Sequence, residues 1–167
     1  MKTYVPGDLI ANHYEVASRP MPGGMGIVYI CLDHEQDRPV ALKTFRPEYL
    51  PDRAARDRFL REGTTWVNLG SHSHIVRCYE VIRDANGLEV YLVLELIAKE
   101  QGREDASLRS WLFYGCPLPP ETALLFALQI ARGMQHAVER IPGFVHRDLK
   151  PENVLVGADK LPGWSVN

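Results

Sequence analysis

The amino-acid sequence predicts an α+β chain, in which a small antiparallel β-sheet lobe carrying one helix precedes the first part of a mainly helical lobe. Three observations lead there. Short runs rich in Val, Ile, Leu and Tyr recur up to about residue 97, parted by turns rich in Gly, Pro, Asn and Asp. A single charged stretch with apolar residues at helical intervals interrupts them. After residue 119 comes a long run that is apolar on nearly every face, the mark of a helix inside a larger body.

Residues 14–18 and 27–32 are β-rich runs. Between them, Pro20-Met21-Pro22-Gly23-Gly24-Met25-Gly26 holds too much Gly and Pro for strand or helix and reads as the glycine-rich turn of a hairpin. Residues 33–38 are polar turn material, and 39–45 form a third strand with one lysine among apolar neighbours. Pro51-Asp52 offers a helix start, and residues 54–69 carry Phe59, Trp66 and Leu69 at helical spacing among many charges. Two more strands follow at 75–83 and 88–96, joined by the turn Asp84-Ala85-Asn86-Gly87. The polar stretch 98–107 reads as a linker and 108–113 as a short helix. Pro119-Pro120-Glu121 opens a longer helix that reaches about Arg140. The chain thus divides into an N-terminal extension over 1–13, a β-rich lobe over 14–97 and a partial helical lobe over 98–167.

That last helix contains Ala123-Leu124-Leu125-Phe126-Ala127-Leu128-Gln129-Ile130-Ala131, and few residues remain to cover it. Each large apolar side chain left in water forgoes about 1.5–3 kcal/mol of burial. Several uncovered leucines would rival the stability of a typical domain, so further sequence is expected to pack on this helix.

With 167 residues, 46% hydrophobic and 24% charged, the chain can bury a core as one soluble unit. A formal charge of -2 argues against nucleic acid or an anionic membrane as the main partner, because both recruit clustered Lys and Arg. Cys31, Cys78 and Cys116 lack paired or metal-like spacing, which argues against a disulfide framework or zinc site and for a reducing, cytoplasmic location. Residues 1–12 lack the apolar core of a signal peptide, and no stretch reaches the roughly 18 apolar residues of a membrane span.

Gly23-Gly24-Met25-Gly26 could bring backbone N–H groups close to a phosphate, although such glycines also make ordinary hairpins. A dinucleotide-binding turn would open a helix, whereas Ile27-Val28-Tyr29-Ile30 continues as a strand. An NTPase phosphate loop would need Gly-Lys-Ser/Thr, which is absent. Lys43, within Val40-Ala41-Leu42-Lys43, is in isolation a residue whose stem packs and whose ammonium reaches water. Glu62 is in isolation a solvated helix residue. Both gain meaning from the octapeptide His146-Arg147-Asp148-Leu149-Lys150-Pro151-Glu152-Asn153, which sets an acid, a lysine and an amide in one short loop.

Together, from about residue 14 to 156, these motifs resemble the N-terminal portion of the eukaryotic-type (Hanks-type) serine/threonine protein kinases, including their bacterial members. The resemblance implies a kinase small lobe with a hinge over 14–97 and a partial large lobe after it. It implies ATP and Mg2+ as cofactors, Gly23, Gly24 and Gly26 over the phosphates, and Val28 and Ala41 roofing the adenine. Lys43 would contact the α- and β-phosphates and pair with Glu62. The Glu95 carbonyl and Ile97 N–H would bind adenine, Leu94 would guard the pocket behind it, and Leu155 would form its floor. Asp148 would be the catalytic base, Lys150 the neutraliser of the transferred phosphoryl group and Asn153 a magnesium ligand. Lys150-Pro151-Glu152 resembles the serine/threonine branch, with Ser/Thr residues of a protein as substrate.

Departures carry expectations of their own. Met21 stands where the family's first glycine falls, and prolines on either side stiffen the loop. Gly63-Thr64-Thr65 are weak helix formers after Glu62, so that helix is expected to be loosely held and its pairing with Lys43 conditional. Residues 154–167 contain no Asp-Phe-Gly. The chain therefore reads as a kinase cut short, whose partner is the missing C-terminal part of the domain and which in isolation transfers phosphate very slowly if at all. The rival reading is a non-catalytic, kinase-like nucleotide-binding or scaffold protein.

Overall fold

Alternation of side chains along short strands builds one end of this chain, and a single long helix organises the other. The structure, a computed structural model, describes residues 3–22, 26–45, 52–83, 89–112 and 117–157. It comprises two units, Met1–Gly70 with Arg77–Leu96, and Ser71–Val76 with Ile97–Asn167.

The first unit contains strands β1 (Leu9–Ile10), β2 (Tyr14–Val16), β3 (Met21–Pro22), β4 (Gly26–Asp33), β5 (Arg38–Phe45), β6 (Cys78–Arg83) and β7 (Val90–Glu95), with helix α1 (Arg53–Leu69) between β5 and β6. Every pairing is antiparallel, in the order β1-β2-β4-β5-β7-β6, with β3 beside β4. Alternate residues Tyr29 and Cys31 of β4, Val40 and Leu42 of β5, and Tyr91 and Val93 of β7 join Ile10, Tyr14 and Val16 in one buried cluster. Against the opposite face lies α1, where Phe59 meets Phe45 edge-on at 5.3 Å between ring centroids. Both faces of β7 are therefore covered, which is why Val90 to Leu94 are buried without a break.

Asp52 caps α1 by accepting the Ala55 N–H at 3.1 Å, and Gly70 ends the helix with φ 71°. Pro51 and the turn at 84–87 lie outside the described residues. Asp33 closes the β4–β5 turn by accepting the N–H groups of Glu35 and Gln36.

Three local expectations need correction. Met21-Pro22 is a short strand opposite Ile27 and Val28, because Pro22 sits at an edge where its missing N–H costs no bond. The strand expected from residue 75 begins at Cys78, since Ile75 instead forms an isolated bridge with His72. The N-terminal extension contributes β1, whose Ile10 is fully buried in the sheet core.

In the second unit, α2 (Pro120–Arg140) starts with Pro120 in its first turn and buries Phe126, Gly133 and Ala137. Trp111, at the end of a 3-10 turn over Leu108–Trp111, packs edge-on against Phe126 at 5.6 Å beside Val156. Leu124 is 72% exposed and Leu128 45%, so much of the apolar surface expected on this helix faces solvent. Among the described residues, no helix is long and apolar enough to cross a membrane.

Candidate functional site

Strand register decides which side chains meet in the first unit. Val28 on β4 stands opposite Lys43 on β5, and Lys43 opposite Leu92 on β7. Ala41 stands between Ile30 and Leu94. Because alternate residues share a face, Val28, Ala41, Lys43 and Leu94 come together on the side that carries α1. Val28, Ala41 and Lys43 are each half-buried. Gly26 opens β4, where an added Cβ would lie 2.3 Å from the Thr44 carbonyl oxygen. Only glycine allows that approach. Gly23 and Gly24 lie outside the described residues.

Glu62 is not brought to Lys43: it is exposed on α1, and no ion pair joins the two. The Lys43 ammonium instead lies 5.9 Å from the Trp66 ring centroid. Glu95 ends β7, with its N–H donating to the Arg77 carbonyl at 2.8 Å and its carboxylate accepting the Arg77 N–H at 3.1 Å. Ile97, in the second unit, is half-buried, and Leu155 in the same unit is exposed.

The second unit holds the octapeptide. Arg147 takes a left-handed backbone conformation, φ 63°, uncommon for a residue with a side chain. The next N–H, of Asp148, donates to the His146 carbonyl at 2.8 Å. Lys150 Nζ lies 2.9 Å from Asp148 Oδ1. Asn153 Nδ2 donates to Asp148 Oδ2 and to the Asp148 carbonyl, both at 2.8 Å. Pro151–Asn153 forms a 3-10 turn. Beyond it, Leu108 N–H donates to Val154 O at 2.7 Å and Val156 N–H to Ala106 O at 2.8 Å, which ties the loop end to the segment before the Trp111 turn.

Hydrogen bonding from Lys150, and then from Asn153, holds the Asp148 carboxyl below the usual carboxylate range. At neutral pH it is ionised and able to accept a proton. Its neighbours, an ammonium and an amide, suit a phosphate and a hard cation respectively. Both Asn153 bonds use the amide nitrogen, so the amide oxygen is the atom it would offer magnesium. Among the described residues no group of three His, Cys, Asp or Glu could hold a metal.

Sequence reasoning missed the place of Trp66 beside Lys43. The signal was available: Trp66 follows Phe59 by two helical turns and shares its stripe of α1.

The family model for the protein kinase domain matches residues 22–161. The serine/threonine-protein kinase PknL of Mycobacterium tuberculosis is 34% identical over 151 residues, covering 90% of this chain and 35% of PknL. PrkC of Bacillus subtilis is 32% identical over 150 residues, covering 90% of this chain and 22% of PrkC. The chain thus spans about a third of the length of PknL and less of PrkC. The crystal structure of the M. tuberculosis PknI kinase domain resembles it with a TM-score of 0.72 at 24% identity, covering 94% of this chain and 60% of that one, a likeness of fold. On the match of most of its residues to the kinase-domain model, the chain belongs to the protein kinase family, in the Hanks-type group that includes the bacterial serine/threonine kinases.

Proposed function

We propose that the chain carries the nucleotide-binding lobe and catalytic loop of a protein serine/threonine kinase, which transfers the ATP γ-phosphoryl group to Ser or Thr hydroxyls of a protein substrate. The observation that carries this reading is the assembly on one carboxylate: Lys150 on one oxygen of Asp148 and Asn153 on the other. An exposed, ionised Asp148 can accept the hydroxyl proton and orient that oxygen toward phosphorus. Lys150 would leave Asp148 for the transferred phosphoryl group, which frees the base when substrate arrives. MgATP, when bound, supplies the phosphoryl group and a cation that offsets its charge.

Asn153 would hold magnesium and Lys43 the α- and β-phosphates, beneath Gly23, Gly24 and Gly26. Val28, Ala41 and Leu155 would enclose the adenine, with Glu95 and Ile97 supplying its backbone hydrogen bonds. The exposed Leu124 and Leu128 support a further proposal, that more kinase-domain sequence covers α2 in the working enzyme. This chain by itself would then transfer phosphate very slowly if at all. Composition favours a cytoplasmic setting.

The same exposed leucines favour a second reading, a kinase-like nucleotide-binding scaffold that associates through α2. Phosphate transfer to a Ser/Thr protein substrate, by this chain joined to the remainder of a kinase domain, separates the two. Transfer lost on Asp148→Asn, with MgATP binding kept, supports the kinase reading. Transfer that survives the substitution removes Asp148 as base, and no transfer by the unaltered protein favours the scaffold.

A further inference from the structure

We propose that Trp66 is a positioning residue for Lys43: its ring holds the lysine ammonium while no phosphate is present and releases it to a triphosphate. The release step rests on the kinase reading; the holding step does not.

Two anchors fix which stripe of α1 faces the sheet. Phe59 packs edge-on against Phe45, and Gly63 sits so close to β6 and β7 that an added Cβ would lie 2.3 Å from Leu92 Cδ2 and 2.9 Å from Val81 Cγ2. Phe59 and Trp66 are seven residues apart, close to two full turns, so they share one stripe. Phe45 and Lys43 are two residues apart on β5, so they share one face. The helix stripe meets the strand face twice, as Phe59 on Phe45 and as Trp66 beside Lys43.

Glu62 adjoins Gly63 and so points about 100° around the helix from that anchor, and it is exposed. The indole thus stands where a carboxylate would otherwise meet the lysine. Its ring face is electronegative and attracts a cation within about 6 Å, with Trp the strongest of the aromatic platforms. Lys43 is half-buried between Val28 and Leu92. A triphosphate carries full negative charges and outcompetes the ring, so binding moves the ammonium off the indole. Trp66 therefore keeps the lysine extended and ready in place of a paired glutamate.

Nuclear magnetic resonance of the chain after reductive 13C-dimethylation, which leaves lysines charged, tests this. The chain has five lysines, and loss of a signal in Lys43→Arg assigns Lys43. Without nucleotide, the Lys43 methyls should resonate upfield of the other lysines through the indole ring current. Trp66→Leu should abolish that displacement, and Trp66→Phe should keep part of it, which also covers poor folding of the leucine variant. MgATP should move the signal toward its ordinary position, and adenosine should not. Lys43 methyls at the ordinary position in the unaltered protein, or a displacement that survives Trp66→Leu, would overturn the proposal. A displacement that needs Trp66 but ignores MgATP would uphold the holding step and count against the kinase reading.

Discussion

Asn153 grips Asp148 twice, with one amide nitrogen 2.8 Å from both the backbone oxygen and the Oδ2 of that residue. Lys150 takes the other carboxylate oxygen at 2.9 Å, so the carboxylate is oriented from two sides.

Asn153→Ala removes both bonds. Both bonds are exposed to water, so they add little to global stability. The loss should be local: faster amide exchange over residues 148–154, with the first unit unchanged. Unaltered exchange in the loop would mean that the bonds do not hold it.

The Asp148 carboxyl titrates below the ordinary carboxylate range because Lys150, and then Asn153, hydrogen-bond its charged form. Its folded value is therefore depressed. The associated stabilisation is present above the unfolded value and is lost as pH falls through the folded one. Carboxyl 13C titration should show a low midpoint for Asp148 that rises in Lys150→Met. A midpoint indifferent to that substitution would show that the ion pair does not govern it.

His72 gives a second pH dependence with the same sense. Its ring stacks on His136 at 4.6 Å with a 24° interplanar angle, and its Nδ1 accepts the His74 N–H at 3.1 Å. Burial first, then His136 and His74, lower its pKa, so the unfolded chain binds the proton more readily. Stability should be unaffected above the usual histidine value of about 6.5 and should fall as pH drops through it. Thermal midpoints on either side of that value check this, and His72→Gln should flatten the dependence.

Most of the sheet was legible because alternation in β4 and β5 and the apolar run of β7 are properties of their own residues. The β1 and β3 pairings were not, since each strand is two residues long and is defined by its partner, β2 for Leu9–Ile10 and β4 for Met21–Pro22. Asp148, Lys150 and Asn153 could be read from one octapeptide, and the structure joins them by direct bonds. Glu62 was chosen by motif, whereas its direction depends on how α1 rolls on the sheet, and Gly63 and Phe59 set that roll. Gly63 was read as a weak point of the helix; its position against Leu92 and Val81 makes it the point of closest packing.

Gly63→Ala separates those two meanings. Alanine improves helix propensity by about 1 kcal/mol, but overpacking a filled core costs about 1–3 kcal/mol. Leu92 is fully buried and has little room to yield. The substitution should lower the thermal midpoint, and a higher midpoint would show that propensity dominates.

An ATP analogue with a reactive acyl group on its terminal phosphate transfers that group to lysine amines near the bound phosphates. Peptide mass spectrometry of the treated chain should find acylation concentrated on Lys43 and Lys150, with both protected by excess MgATP. Acylation spread evenly over Lys2, Lys43, Lys99, Lys150 and Lys160, and indifferent to MgATP, would contradict the proposal that Lys43 and the Asp148–Asn153 loop serve one triphosphate.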